Sequence, residues 1–367
     1  MERLIFVSAA ELSAELYASL VFEKLGVKGF GVGGENLKRA GAEIILPMER
    51  LQIGGIFEII PRLREIKRML DFLEEEIVRR KPALLFLVDF PDFHFRLAAR
   101  VKKKVNIPVI HFISPTVWAW REGRMKKIKR LIDLELLIFP FEQEIYSKWG
   151  VPHKFVSHPL FEIVKLELSE EEFRKKYWIH SDYIAVLPGS RPQELHYHME
   201  TLGKFAEVIR KRHGLEVLLP VAPSVREEIK KYDLSPFVPI FEERYSAMAY
   251  SKVVVCASGT VPLEAAILEK PHVVFYRLSS LTYLFRPLVK LSHYSIVNIL
   301  ADGEVVRELM QKDFTVENLL RETEALLNDS EKREKMLREF RRIKSLFPPE
   351  PASRIAAEAI QEFMKKH

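Results

Sequence analysis

Short, almost uniformly apolar runs recur along this chain, and stretches with helical periodicity lie between them. Five such runs occupy the first half: RLIFVSA (3–9), KGFGVGG (28–34), ALLFLVDF (83–90), VIHFIS (109–114) and LELLIFP (134–140). Five more follow: YIAVLPGS (183–190), LEVLLPVA (215–222), VPIFEE (238–243), SKVVVCASG (251–259) and HVVFYR (272–277). Strands that are apolar on both faces belong in parallel sheets covered on both sides. Alternation of such strands with helical segments such as ELSAELYASLVFEKL and HFRLAARVKKKV implies a doubly wound α/β fold.

A chain of 367 residues allows about two domains of ordinary size. The two strand series meet near KFVSHPLFEI, at residues 155–165. The expected architecture is α/β, with two Rossmann-like doubly wound domains facing a central cleft. The first spans 1–160 and the second 161–345. After the FPPEP breaker, residues 346–367 read as an amphipathic helix that packs back across the domain boundary. In open α/β sheets, ligands bind at the carboxyl ends of the strands, so the strand-end loops are where chemistry is expected.

One cysteine, Cys256, rules out a disulfide framework and favours a reducing cytoplasm. The N-terminus is a short strand pattern without the length of a secretory apolar core. No window approaches the ~18–20 apolar residues that span a bilayer. The chain is therefore expected in the cytoplasm, at most peripheral on a membrane. A net charge of +6 and a pI near 9.1 favour anionic partners. The basic residues are dispersed and no nucleic-acid motif is present, so nucleic acid is not expected. Two segments, LQIGGIFEIIPRLREIKRML (51–70) and LSSLTYLFRPLVKLSHY (278–294), can lie in a bilayer interface or serve as ordinary amphipathic core helices.

Three strand ends carry the candidate chemistry. In LLFLVDFPDFHF (84–95) an apolar strand runs into Asp89, with Asp92 three residues on and Pro91 between them. Burying carboxylates beside such a strand is costly without a purpose. In VLPGSRPQELH (186–196), Gly189 permits close backbone approach, and Ser190 and Arg191 supply donors ahead of a helix. That arrangement suits a phosphate, and it also suits a common turn. In CASGTVPLEAA (256–266), Ser258, Gly259 and Thr260 again precede a helix, with Pro262 in its first turn and Glu264 one turn in. Two anion-ready loops in one domain are better explained by a nucleotide diphosphate than by two N-caps, with Glu264 accepting from ribose hydroxyls. No Walker A loop, complete dinucleotide fingerprint or metal-ligand spacing is present. ISPTVWAWREGRMKKIKR (113–130) reads either as a surface helix with aromatic packing at its start or as a basic wall facing an anionic substrate or lipid headgroups.

Taken in order, GVGGENLKRAGAE, LQIGGIFEII, VDFPDF, ISPTVWAWR, FPFEQEIYSKWGVP, SHPL, LPGSR, ASGTVPLEAA, VVFYR and YSIVNILADGEVVRELMQ resemble the lipid-A-disaccharide synthases over nearly the whole chain. These are glycosyltransferases of the two-domain GT-B fold. The resemblance implies that UDP-2,3-diacylglucosamine and 2,3-diacylglucosamine 1-phosphate are joined to a β-1,6-linked disaccharide phosphate with release of UDP. This is a step in making the lipid A anchor of Gram-negative outer membranes. It also implies attachment to an anionic surface, the cytoplasmic face of the inner membrane, and allows a homodimer. Rival readings are another GT-B enzyme, such as a UDP-sugar epimerase or a different transferase, and a non-catalytic lipid-binding relative. The first loop departs from the family's usual AGExSGD, with Ala10, Ala14 and Glu15 in place of two glycines and an aspartate. Alanine would obstruct that loop wherever its backbone needs positive φ.

Glycosyl transfer needs a base for the attacking hydroxyl and stabilisation of the departing diphosphate. Asp89 matches the family's functional aspartate and is expected to be the base toward the acceptor 6-hydroxyl. Asp92 is expected to cap the turn and orient the loop. Arg191, with the amides around Gly189 and Ser190 and the start of the 258–260 helix, is expected to neutralise charge on UDP. Tyr276, Asn298 and Gln311 are expected near the nucleotide or donor sugar. Glu11, Ser13, Trp118 and Arg121 are expected on the acceptor side. No metal or other cofactor is implied, and direct displacement would invert the anomeric centre.

Overall fold

A computed structural model describes residues 4–51, 56–118, 122–277 and 292–366. The chain divides into two compact units, one made of Met1–Phe161 with Pro348–His367 and the other of Glu162–Phe347.

The first unit holds a seven-stranded sheet of β1 (Ile5–Ala9), β2 (Gly29–Gly33), β3 (Ala42–Pro47), β4 (Leu84–Val88), β5 (Val109–Phe112), β6 (Leu134–Leu137) and β7 (His153–Phe155). All neighbours pair in parallel, in the order β3-β2-β1-β4-β5-β6-β7. The second unit holds six parallel strands: β8 (Tyr183–Leu187), β9 (Glu216–Pro220), β10 (Val238–Ile240), β11 (Val254–Ala257), β12 (His272–Tyr276) and β13 (Glu308–Met310). Their order, β10-β9-β8-β11-β12-β13, repeats the pattern of the first six strands. Both are the doubly wound order, in which chain direction across the sheet reverses between the first and fourth strands. The loops after β1 and β4 therefore flank one switch point, and those after β8 and β11 flank the other.

β1, β4, β5, β8 and β11 are buried throughout, which explains why their runs are apolar without alternation. Cys256 is one of these core positions on β11, and burial pushes its thiol pKa up. All ten expected strands are present, several of them shorter than their apolar runs. Pairing on β4 stops at Val88 because Asp89 and Phe90 adopt φ of 54° and 49°. On β5 it stops before Ile113, at φ 72°. Three strands were not anticipated: β3, β7 and β13. β7 and β13 are three residues long, and all three are partly polar strands at or near a sheet end.

Helix Leu12–Leu25 ends at Gly26 in the left-handed region, and Pro91 opens helix Pro91–Val101. The terminal helix Ala352–Lys366 packs against Leu12–Leu25 and so belongs to the first unit. Among the described residues no helix is long and apolar enough to cross a membrane. Of the two candidate interfacial segments, residues 52–55 and 278–291 lie outside the described residues, as does Arg121.

Candidate active site

In the second unit, β8 leads through Pro188 and Gly189 to Arg191, the N-cap of helix Pro192–His213. Gly189 has φ 123°, and a Cβ there would lie 2.3 Å from Glu194 Oε2. Only glycine fits that position. Glu194 is buried, and its Oε2 accepts from the amides of Ser190 (2.7 Å) and Arg191 (3.2 Å). The Ser190 and Arg191 amides expected to hold phosphate are thus engaged by the chain's own carboxylate, which corrects that part of the reading. Ser190 and the Arg191 side chain remain exposed. The Tyr276 hydroxyl, at the end of β12, donates to Glu194 Oε1 at 3.1 Å. Burial and the Glu194 carboxylate push the Tyr276 pKa up to about 12, and the nearby Arg191 guanidinium opposes them. His198 lies one turn beyond Glu194. It donates from Nδ1 to Pro188 O (2.7 Å) and accepts at Nε2 from the Arg277 amide (3.1 Å). Buried and neutral, it staples the end of β8 to the end of β12.

Beyond β11, Gly259 adopts φ 154°, Ser258 is half-buried, and Gly259 and Thr260 are exposed at the start of helix Val261–Ile267. Glu264 is buried, within 3.4 Å of Thr260 Oγ1, and is ion-paired with Arg244 from the helix after β10. Its carboxylate is therefore already partly committed. Gln311 follows β13 at φ 54°, and its carbonyl and that of Phe314 accept from the Arg277 guanidinium.

Asn298 is elsewhere in energetic terms. It is fully buried, its Nδ2 donates to Val306 O and Glu308 Oε1 (both 2.8 Å), and its Oδ1 accepts from Val305 N (2.8 Å) and Val306 N (2.9 Å). A primary amide offers two donors and two lone pairs, so all four are used. The expectation that Asn298 contacts the nucleotide or donor sugar is corrected: it ties the 305–308 loop to helix Ile296–Ala301.

In the first unit, Asp89 is half-buried at the carboxyl end of β4. Its amide donates to Phe112 O at 2.8 Å, and its carbonyl meets His94 Nδ1 (2.5 Å) and His111 Nε2 (3.2 Å). Asp92 is exposed and receives two bonds from Arg124 Nη2 (2.9 and 2.8 Å). It anchors the basic segment that follows rather than capping the turn, another correction. Across the switch point, Glu11 is the exposed N-cap of Leu12–Leu25 without a side-chain cap bond, and Ser13 is exposed beside it. Neither Ala10 nor Ala14 has positive φ, so alanine causes no backbone strain there. Glu15, buried, accepts from Leu37 N (2.7 Å) and Asn36 Nδ2 (2.6 Å) and holds the GGEN loop to the first helix. Trp118 packs edge-on against Phe141 at 5.1 Å, and its indole N–H has no partner among the described residues.

Glu194, His198, Arg244 and Arg277 in the second unit, and His94, His111 and Glu135 in the first, were not singled out from the sequence. A signal existed for some of them. His111 and Glu135 interrupt apolar strands, and a titratable group there needs a buried partner. Glu194 is the third residue of its helix, the position of a capping-box acid.

The loops that carry the candidate residues lie at the positions doubly wound sheets use for ligands, and other proteins share the frame. Over its whole length the chain is similar to the calicheamicin glycosyltransferase CalG4 (TM-score 0.63, 15% identity, covering 100% of this chain and 99% of that one). It is similarly close to the UDP-GlcNAc 2-epimerase from Neisseria meningitidis (TM-score 0.64, 13% identity, 100% of both chains). At such identities the likeness is one of fold. Sequence relatives are closer. The lipid-A-disaccharide synthases of Anaeromyxobacter dehalogenans (strain 2CP-1) and Solibacter usitatus are each 37% identical, covering 97% and 98% of this chain and 96% and 97% of theirs. That of Myxococcus xanthus is 35% identical over 98% of this chain and 97% of its own. Residues 5–361 match the lipid-A-disaccharide synthetase family, and with relatives this similar from end to end, the chain belongs to that family.

Proposed function

We propose that this enzyme transfers a 2,3-diacylglucosaminyl group from its UDP donor to the 6-hydroxyl of 2,3-diacylglucosamine 1-phosphate, with inversion, giving lipid A disaccharide 1-phosphate and UDP. Family membership supports the overall reaction. The assignment of roles rests on one observation above all: a carboxylate held at the switch-point end of a buried strand, on a turn that no repetitive structure requires. Asp89 takes the proton from the attacking hydroxyl as the new glycosidic bond forms, and the C1–O bond to UDP breaks. Arg191, exposed at its helix start, meets the negative charge that collects on the departing diphosphate. Ser190, Ser258, Gly259 and Thr260 contribute hydroxyl or amide donors to the same diphosphate. Glu264 contributes whatever capacity its pairing with Arg244 leaves, and Tyr276 and Gln311 line the nucleotide side. Glu11, Ser13, Trp118 and Arg121 serve the acceptor side.

The test supplies both acylated sugars and follows disaccharide phosphate and UDP. A general base is worth about 10²–10⁴-fold, and one charge-stabilising donor about 10²–10³-fold. Asp89→Ala and Arg191→Ala should each lose turnover on that scale while remaining folded. Near-normal turnover in either removes that residue's role, and free UDP without disaccharide would favour an epimerase-like or hydrolytic reading.

Acylated substrates also call for access to a lipid surface. Lys126, Lys127, Lys129 and Arg130 on helix Met125–Leu131, all four exposed, together with the exposed Lys103 and Lys104, supply cations for anionic headgroups on the cytoplasmic face. Flotation with vesicles containing an anionic lipid should recover the protein at low salt and lose it at high salt. Equal recovery on neutral vesicles would count against this attachment.

A further inference from the structure

Beneath the Asp89 turn runs a line of completely buried polar side chains that the mechanism above leaves unused: Ser8 on β1, His94 in Pro91–Val101, His111 on β5 and Glu135 on β6. Both histidine rings converge on the Asp89 carbonyl, His94 through Nδ1 at 2.5 Å and His111 through Nε2 at 3.2 Å. A carbonyl only accepts, so each of these nitrogens carries its hydrogen. The opposite nitrogens are engaged too. Burial keeps the His94 ring neutral, so Nε2, 2.8 Å from Ser8 Oγ, accepts from that hydroxyl. His111 Nδ1 lies 2.6 Å from Glu135 Oε1, and one hydrogen sits between them. His111 and Glu135 thus share a proton within a pair that is neutral overall.

The turn these rings grip is strained. Asp89 and Phe90 are consecutive non-glycine residues in the left-handed region, at φ 54° and 49°. Such conformations cost on the order of 1–3 kcal/mol each and persist only when the surroundings over-determine them. Here the Asp89 amide is held by Phe112 O and its carbonyl by two rings anchored on three different strands. Locked rotamers supported by a further layer of hydrogen bonds are what fix a reacting group within a fraction of an ångström.

We propose that His94 and His111, the latter oriented by Glu135, are positioning residues that hold the strained Asp89–Phe90 turn so that the Asp89 carboxylate is presented to the acceptor hydroxyl. This rests on the reading of Asp89 as the base. None of the three touches substrate, so their removal should slow the chemical step without weakening the grip on UDP in the other unit.

Removing one member of a buried pair strands the other, so His111→Leu is combined with Glu135→Leu, which replaces both polar groups with apolar ones of similar size. A misplacement of about 1 Å can cost ~10²-fold. The paired variant should therefore lose about 10–100-fold in kcat, with KM for the UDP-sugar and calorimetric affinity for UDP within about twofold of wild type. His111→Gln keeps a donor near the Nε2 position and should recover most of that rate. In an Asp89→Ala background the paired replacement should change the residual rate by less than about twofold, because it acts only through Asp89. A near-normal kcat for the paired variant, or the same fold-loss with and without Asp89, overturns the proposal. Near-normal turnover in Asp89→Ala alone removes the base assignment and this proposal with it. Should the paired variant not fold, His94→Leu makes the same cut from the other side and is judged by the same comparisons.

Discussion

Gly189 shows how much one residue can decide. Its φ of 123° and the 2.3 Å approach that a Cβ would make to Glu194 Oε2 are independent obstacles to any side chain. Gly189→Ala should displace Glu194, release the Ser190 and Arg191 amides and destabilise the protein by about 1–3 kcal/mol. Calorimetry should show UDP binding weakened by about tenfold or more, and unchanged affinity would mean that the loop's shape does not govern nucleotide binding. The importance of this glycine was legible in the sequence, because strand–Gly–Ser–Arg–helix is a pattern with a physical reason. Its neighbour across the loop was not. Glu194 looks like one more helix-surface acid until the fold turns it inward onto two amides and the Tyr276 hydroxyl.

At the scale of elements, the buried strands were readable and their ends were not. A run such as ALLFLVDF states that a strand exists. It does not state that the backbone turns left-handed at Asp89 and ends the ladder at Val88. Edge strands such as β7 were missed for a related reason: with one ladder to join and little burial, they need no apolar run. The connection around 294–308 makes a sharper case. Asn298 has the look of a ligand-binding polar residue, yet it closes a loop whose other members, Glu308 and the amides of Tyr294 and Ser295, are held by the same cluster. Asn298→Ala should leave several buried groups unsatisfied and lower stability by about 2–4 kcal/mol. Folded protein should keep a KM for the UDP-sugar within about twofold of wild type. A selective rise in that KM, with unfolding unchanged in urea, would return Asn298 to the binding site.

For the whole molecule, buried titratable groups set the dependence of stability on pH. Burial lowers the pKa of His94 and His158 to about 3 and of His272 to about 4, from an ordinary 6.5. Below pH 6.5 the unfolded chain takes up these protons and the folded one does not, so stability falls as pH drops toward about 4. Glu142 works in the opposite direction: burial, reinforced by Glu135, raises it to about 8. Between its ordinary 4.5 and about 8 the folded chain retains a proton that the unfolded chain has lost, so its contribution declines as pH rises. Urea titrations should show Glu142→Gln gaining on wild type by an amount that grows across that window. A difference independent of pH would mean that Glu142 is charged in the folded protein at neutral pH.

Apolar runs of strand length, separated by helical periods, were enough to call for two doubly wound α/β units, because burial on both faces of a parallel sheet leaves so direct a mark on composition. The strand-end motifs marked Asp89 and Arg191 as candidates, since chemistry at those loops demands particular side chains at particular spacings, and their roles stand as proposals. Pairing between distant polar residues left no comparable trace. Ser8, His94, His111 and Glu135 are joined only because parallel pairing sets β1, β4, β5 and β6 side by side. Hydrogen bonds act over about 3 Å, and chain separation in sequence says nothing about which groups will come within that reach.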